Sequence, residues 1–246
     1  MDVIGVIPAR YSSTRLAGKV LADIMGKPML QHVWERAKLS RMLDDLIIAC
    51  DDEVIRKVAI EFGAKAVMTS REHTCGTDRI SEVVNPLDVK IIVNIQGDEP
   101  LIHPMMIDSV ARALLENRSL NMATVMKRIT DTAQVSDPNV VKVVVDKDNF
   151  ALYFSRAPIP YLAAGSQMDQ VTYYKHIGLY AYTKDFLFTY KNLPVSNLEK
   201  AEKLEQLRVL AEGFRIKVIE TKFDTVGVDT PEDLERAKDR IQKEKS

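Results

Sequence analysis

Cysteine is scarce in this chain: Cys50 and Cys75 are the only two among 246 residues. With no C-x-x-C pair they make no disulfide framework, and with four unclustered histidines they supply no zinc signature. An excess of charge of one sign is also missing. Thirty-four basic residues face 35 acidic ones, a formal net charge of −1, so no global field captures nucleic acid or an anionic membrane. Any anion site must be local. Long apolar runs are absent as well. No segment reaches the roughly 18 unbroken apolar residues of a membrane span. Val3–Ile7 is too short for a signal-peptide core, and Met1-Asp2 lacks a basic region. The expectation is a soluble, cytoplasmic protein with no membrane or nucleic-acid partner. Three motifs are missing too: G-x-G-x-x-G, G-x-x-x-x-G-K-[ST] and G-x-S-x-G. Their absence weakens the dinucleotide oxidoreductase, P-loop and α/β-hydrolase readings.

What is present is a large apolar share, 46%, in a chain long enough to bury a substantial core. Short apolar runs alternate with segments of helical period. Val3–Ile7, Leu46–Cys50, Ala66–Met68 and Lys90–Ile95 read as strands. Pro28–Ser40, Glu53–Phe62, Asp78–Val84 and Pro104–Glu116 read as helices; the first places Leu30, Val33, Trp34 and Ala37 at i, i+3, i+4 and i+7. This rhythm predicts an α/β, doubly wound, mostly parallel sheet covered on both faces. After residue 120 the strands Met122–Ile129, Val140–Val145, Ala151–Phe154 and His176–Tyr182 crowd together. They predict an antiparallel lobe over about 120–190 within a single domain of residues 1–246. Pro158–Gln170 reads as an irregular excursion, Glu199–Glu212 as one helix and Ile216–Glu220 as a last strand. Thr230, Pro231 and Asp233 read as the capped start of a closing helix.

Three places carry chemistry. Pro8-Ala9-Arg10-Tyr11-Ser12-Ser13-Thr14-Arg15-Leu16-Ala17-Gly18-Lys19 follows the first strand and gathers three cations and several hydroxyls. It fits either a solvated basic loop or a polyphosphate cradle, because Arg offers a planar fork of donors and Lys a point charge. Gln96-Gly97-Asp98-Glu99-Pro100 follows a buried strand, at the strand end where open α/β sheets bind ligands. It is either an acidic turn or half of a Mg²⁺ site completed by phosphate oxygens. Asp229 is either a favourable acid beside a helix start or the second carboxylate of that site. His176 and Tyr180, four apart on a strand, share a face. Arg156 fits either a surface role or a carboxylate clamp. Glu205-Gln206 reads as solvent-facing on its helix, and Cys75 as a small turn residue rather than a nucleophile.

Read together, these stretches resemble the 3-deoxy-manno-octulosonate cytidylyltransferases, the CMP-Kdo synthetases. The resemblance runs from Val3 to about Ala237. It rests on Ile7-Pro8-Ala9-Arg10-Tyr11, Ser13-Thr14-Arg15-Leu16, Gly18-Lys19, Gly26-Lys27-Pro28-Met29 and Asn94–Pro100. It continues in Ala151–Ala157, Leu204–Arg208 and Gly227–Leu234. It implies a Rossmann-like nucleotidyltransferase fold and transfer of CMP from CTP to the sugar acid Kdo, with Mg²⁺, for lipopolysaccharide biosynthesis, in a cytoplasmic homodimer. It implies that Arg10, Ser13, Arg15 and Lys19 contact the CTP phosphates, and that Asp98 and Asp229 hold Mg²⁺. Arg71, Cys75 and Gly76 would lie near cytosine. Gln96, Arg156, His176, Tyr180, Glu205 and Gln206 would line the sugar pocket, and the lobe after 120 would supply dimer contact. Ala17 stands where the family usually has Pro, and Cys75 where it usually has Ser. Two rival readings remain: a cytidylyltransferase for another acidic sugar, and a CTP-binding module without catalysis.

Overall fold

Alternation of apolar side chains along the first strand explains the layering of the whole molecule. In β1 (Val3–Ala9), Val3, Ile7 and Ala9 pack into one apolar layer, while Ile4 and Val6 pack into another on the opposite face. A strand buried on both sides needs cover on both sides. The computed structural model describes residues 1–11, 18–73, 75–165 and 171–245. Its first half continues with the hairpin β2 (Asp23–Ile24) and β3 (Lys27–Pro28), α1 (Met29–Ala37), β4 (Asp45–Cys50) and α2 (Glu53–Glu61). Then come β5 (Lys65–Met68), α3 (Gly76–Val84), β6 (Ile91–Asn94) and α4 (Pro104–Glu116). The second half runs β7 (Met122–Arg128), α5 (Ala133–Ser136), β8 (Lys142–Val145), β9 (Ala151–Ser155) and β10 (Tyr174–Thr183). It closes with α6 (Lys184–Lys191), α7 (Asn197–Glu202), α8 (Leu207–Ala211), β11 (Lys217–Glu220) and α9 (Pro231–Lys245).

The main sheet has the order β11-β7-β10-β6-β1-β4-β5. β1 runs parallel to β4 and β6, β4 to β5, and β7 to β11; β10 alone on this path is antiparallel to its neighbours. Side chains of α1 and α4, including Leu30, Val33, Ile107 and Val110, fill one layer. Those of α3, α6 and α8, including Ile80, Val84, Phe186 and Leu207, fill the other. Each such side chain, fully buried, contributes about 1.5–3 kcal/mol. The doubly wound, mostly parallel sheet expected from the rhythm of the chain is therefore present. The stretch 120–190 divides: β7 and β10 enter the middle of the sheet, and β8 and β9 form an antiparallel ribbon paired to β10.

Two local expectations need correction. Glu199–Glu212 is not one helix. Lys203 adopts a left-handed φ of 55° and ends α7, and α8 begins at Leu207. The break lets Leu204 and Leu207 both reach the core. It also places Glu205 and Gln206 in the turn between the helices, so Glu205-Gln206 is not the solvent-facing helical pair that the period suggests. α6 follows β10 directly, although the sequence reading places no helix there; the Thr183 hydroxyl accepts from the Phe186 amide as its N-cap.

α9 starts as its sequence predicts. The Thr230 hydroxyl accepts from the Asp233 amide at 3.2 Å, and Asp233 accepts in return from the amides of Thr230 and Asp229 at 2.9 and 3.0 Å. Ala237 and Ile241 of α9 pack with Ile24, Met29, Leu101 and Val228. This docking carries Asp229 back to the loop after β6, where the Val228 amide bonds the Asp98 carbonyl at 2.9 Å. Among the described residues, no helix is long and apolar enough to cross a membrane.

Candidate active site

The carboxyl ends of β1, β4 and β6 lie side by side: Ala9 is in register with Cys50, and Val6 with Asn94. The chain leaving each strand therefore turns over the same edge, where open α/β sheets bind ligands. A cleft of about 310 Å³ opens there, lined by Arg10, Lys19, Cys75, Gly76, Gln96 and Asp98 among others. Gly97 is required by close approach. A Cβ at that position would stand 2.9 Å from the Pro8 carbonyl oxygen, which is backbone and cannot yield cheaply. Gly97→Ala is expected to push the Asp98 loop off β1 and to cost about 1–3 kcal/mol in a urea unfolding series, with a parallel fall in turnover.

Lys19 is the centre of the charged groups. Its Nζ lies 2.7 Å from Asp98 Oδ2 and 2.9 Å from Asp229 Oδ1. The three residues are separated by up to 210 positions in sequence, yet they meet at one point. Burial opposes the ammonium charge, but the neighbouring carboxylates of Asp98 and Asp229 outweigh it, so the Lys19 pKa is raised. Gly18, at a left-handed φ of 64°, turns the chain into the short 3₁₀ turn Lys19–Leu21. Beside this triad, the Glu99 carboxyl accepts from the Thr225 hydroxyl. Burial, then the Asp98 charge, pushes the Glu99 carboxyl up to about 8.

Two carboxylates that converge on one cation are hard oxygen donors, suited to Mg²⁺ with phosphate oxygens and water completing its shell. Among the described residues no group of three or more His, Cys, Asp or Glu forms a metal cluster. The Asp98–Asp229 pair is the donor set at this cleft that fits the ion.

The nucleotide-side candidates fall in three places. Arg10 and Gly76 line the cleft. Ser13 and Arg15, with Ala17, lie outside the described residues. Arg71 does not line the cleft: it donates from Nε to the Asp51 carbonyl at 2.9 Å and pairs with Asp52 at 2.8 Å. Cys75 caps α3. Its thiol donates to Asp78 Oδ2 at 3.2 Å and accepts weakly from the Asp78 amide at 3.5 Å. Burial first, then Glu205, pushes that thiol up to about 12, so it is a thiol and no nucleophile at neutral pH. Sulfur is a poor cap acceptor. Cys75→Ser is expected to stabilise the protein by a few tenths to about 1 kcal/mol, read as a rise in the thermal midpoint. Two further cleft residues, His73 and Arg79, escaped the sequence reading. Arg79 could have been found one helical turn after Gly76.

Of the sugar-side candidates, His176 and Tyr180 lie on β10, Gln96 follows β6, Arg156 follows β9, and Glu205 and Gln206 lie between α7 and α8. A Cβ on Gly178 would meet Gln96 Cγ at 3.8 Å, which places Gln96 beside β10. His176 and Tyr180 share a face, their rings 5.4 Å apart, across a register shift between Ile177 and Tyr180. His176 Nε2 bonds the Thr124 hydroxyl at 2.9 Å, and burial pulls its pKa down to about 3. It is a neutral ring at working pH. Arg156 donates from Nε to the Glu202 carbonyl and from Nη1 to the Pro138 carbonyl, each at 2.9 Å. Glu205 bonds Thr77 and Tyr190, and burial raises its pKa. It therefore ties the turn between α7 and α8 to the start of α3 and to α6. Gln206 is buried, and its Nε2 has no partner among the described residues.

A cleft lined by Arg10, Lys19 and Asp98 at the strand ends of a doubly wound sheet, with Asp229 also reaching Lys19, has the layout of a nucleotide site. The cytidylyltransferase family model matches residues 4–219. A 3-deoxy-manno-octulosonate cytidylyltransferase of Solibacter usitatus is 53% identical over 95% of this chain and 92% of its own. One of Geotalea uraniireducens is 50% identical over 99% and 100%. A CMP:2-keto-3-deoxy-manno-octonic acid synthetase, solved in complex with CTP, superposes with a TM-score of 0.92 at 42% identity over 99% of this chain and 100% of that one. The chain belongs to the 3-deoxy-manno-octulosonate cytidylyltransferases within the cytidylyltransferase family.

Proposed function

We propose that this enzyme transfers CMP from CTP to the anomeric hydroxyl of Kdo, giving CMP-Kdo and pyrophosphate. The observation that carries the reading is the ammonium of Lys19 held between Asp98 and Asp229 at the cleft. In the reaction the anomeric oxygen attacks the α-phosphorus, and the bond from that phosphorus to the bridging oxygen breaks. Charge gathers on the departing pyrophosphate, where Lys19, Arg15, Arg10 and Ser13 would meet it. Such fixed donors supply the largest share of rate enhancement. Asp98 and Asp229 would hold Mg²⁺. When bound, the ion neutralises phosphate charge and acidifies the attacking hydroxyl. The Cys75-Gly76 turn would lie near the base.

On the sugar side, Arg156 would pair with the substrate carboxylate, and Gln96, His176, Tyr180 and Glu205 would orient hydroxyls. The buried Nε2 of Gln206, with no partner among the described residues, supports this reading. An unsatisfied buried donor costs about 1–3 kcal/mol, and a substrate oxygen would satisfy it. Arg156→Ala is expected to raise the KM for Kdo by at least tenfold, a charge-assisted pair being worth about 1.5–3 kcal/mol, while CTP affinity stays within about twofold. Equal losses for both substrates would count against the clamp.

The deciding assay mixes pure protein, CTP, Mg²⁺ and Kdo, and measures pyrophosphate while each component is omitted in turn. A requirement for all four is the expected result; release with a different sugar acid in preference to Kdo would redirect the substrate assignment. The protein is expected to act in the cytoplasm, feeding lipopolysaccharide synthesis, as a homodimer. Support for the dimer is the edge strand β9 with Leu152 exposed, beside an excursion carrying exposed Tyr161. Sedimentation should give about twice the chain mass of 27.8 kDa.

A further inference from the structure

We propose that Asp51 and Arg79 form a positioning pair that sets the shape of the nucleotide cleft. The inference rests on the cleft between Arg10 and Asp98 being the CTP site. Asp51 follows β4, and the register Ala9↔Cys50 brings it level with the chain leaving β1. Its carboxylate serves two walls at once. Oδ1 accepts from the Tyr11 amide at 2.9 Å, and Oδ2 accepts from Arg79 Nη2 at 3.0 Å. Its backbone carbonyl accepts from Arg71 Nε. Arg79 lines the cleft and also donates through Nη1 to the Thr69 hydroxyl.

Three segments therefore hang on one residue: the start of the basic loop, the turn after β5, and the first turns of α3. The side chains of Arg79 and Asp51 are only 3% and 9% exposed. A buried ion pair is a poor source of stability, because desolvation offsets the attraction; apolar residues of the same volume would serve as well or better. What the pair supplies is direction. Holding the Tyr11 amide fixes how the chain leaves β1, and so where Arg10 stands. The charges of the pair cancel, so its contribution to CTP binding is placement, not field.

The test measures CTP binding by calorimetry, the KM for the sugar acid, and the thermal midpoint, in the full chain. Asp51→Asn keeps an acceptor for Tyr11 but leaves Arg79 unbalanced. It is expected to weaken CTP binding on the order of tenfold to a hundredfold, with the sugar-acid KM within about twofold. Arg79→Gln should do the same, and the double variant should lose no more than the worse single one, as a coupled pair does. Wild-type CTP affinity with only a lowered thermal midpoint would overturn the proposal, and so would equal losses for both substrates. If Asp51→Asn does not fold, Thr69→Val removes one Arg79 partner; unchanged CTP affinity in that variant would overturn it as well. Arg10→Ala and Lys19→Met serve as controls. If they too leave CTP binding intact, the cleft assignment itself fails; if they abolish it while Asp51→Asn does not, only the positioning pair fails.

Discussion

Asp98→Asn is expected to leave a folded protein that releases pyrophosphate at least on the order of a hundredfold more slowly than the parent. The substitution preserves shape, and Asp98 lies on a loop with a partly exposed side chain, so no core contact is lost. What is lost is half of the anionic pair that faces the cleft. Interactions that act on charge in the transition state typically account for a hundredfold to a thousandfold each. Circular dichroism should be unchanged, and the defect should persist at saturating Mg²⁺. Near-normal turnover at saturating Mg²⁺ would remove Asp98 from the metal and phosphate chemistry and return it to the role of an acidic turn.

Lys19→Met is the second large effect. The ammonium bridges two carboxylates in the free enzyme and, on the proposed reading, meets the leaving phosphates in the reacting complex. The substitution removes the ammonium that Asp98 and Asp229 both contact. We expect turnover to fall on the order of a hundredfold or more, with weaker CTP binding. Arg at this position should rescue poorly, since a planar fork does not replace a point charge. The raised pKa of Lys19 makes a pH prediction. A lysine whose folded pKa lies above its unfolded value contributes stability that is complete below about 10.4 and disappears as pH rises through the folded value. Lys19 therefore adds no falling limb to the activity profile between pH 7 and 10, and the Lys19→Met defect should be constant across that range. A defect that disappears toward pH 10 would show that the parent's lysine loses its proton there and is not held by the two aspartates.

Much of the fold was legible in the chain because its signals are local. Period-two and helical spacing marked β1, β4, β6 and α4, and the Thr230–Asp233 cap marked α9, since each depends on residues within a few positions. The break in Glu199–Glu212 was not legible. Lys203 takes its left-handed turn because Leu204 and Leu207 must both reach the core, a demand made by distant residues. The placement of β10 was hidden for the same reason: an apolar strand reads alike whether it runs in a side lobe or antiparallel in the middle of a sheet. The candidate residues Lys19, Asp98 and Asp229 could be nominated by residue type and by their position after strands. Their meeting at 2.7 and 2.9 Å depends on α9 docking against Leu101 and Met29.

By itself, the sequence determined the alternation of elements and the family, because these reside in spacing and in residue type. Only the tertiary structure decided which charges share a point and which are already engaged. Arg71, placed near cytosine by resemblance, is tied to Asp51 and Asp52, while nothing in the sequence marked Arg79 as lining the cleft or Asp51 as its partner. The physical reason is that a charge acts through distance and dielectric, and both are set by the packing of elements far apart in the chain.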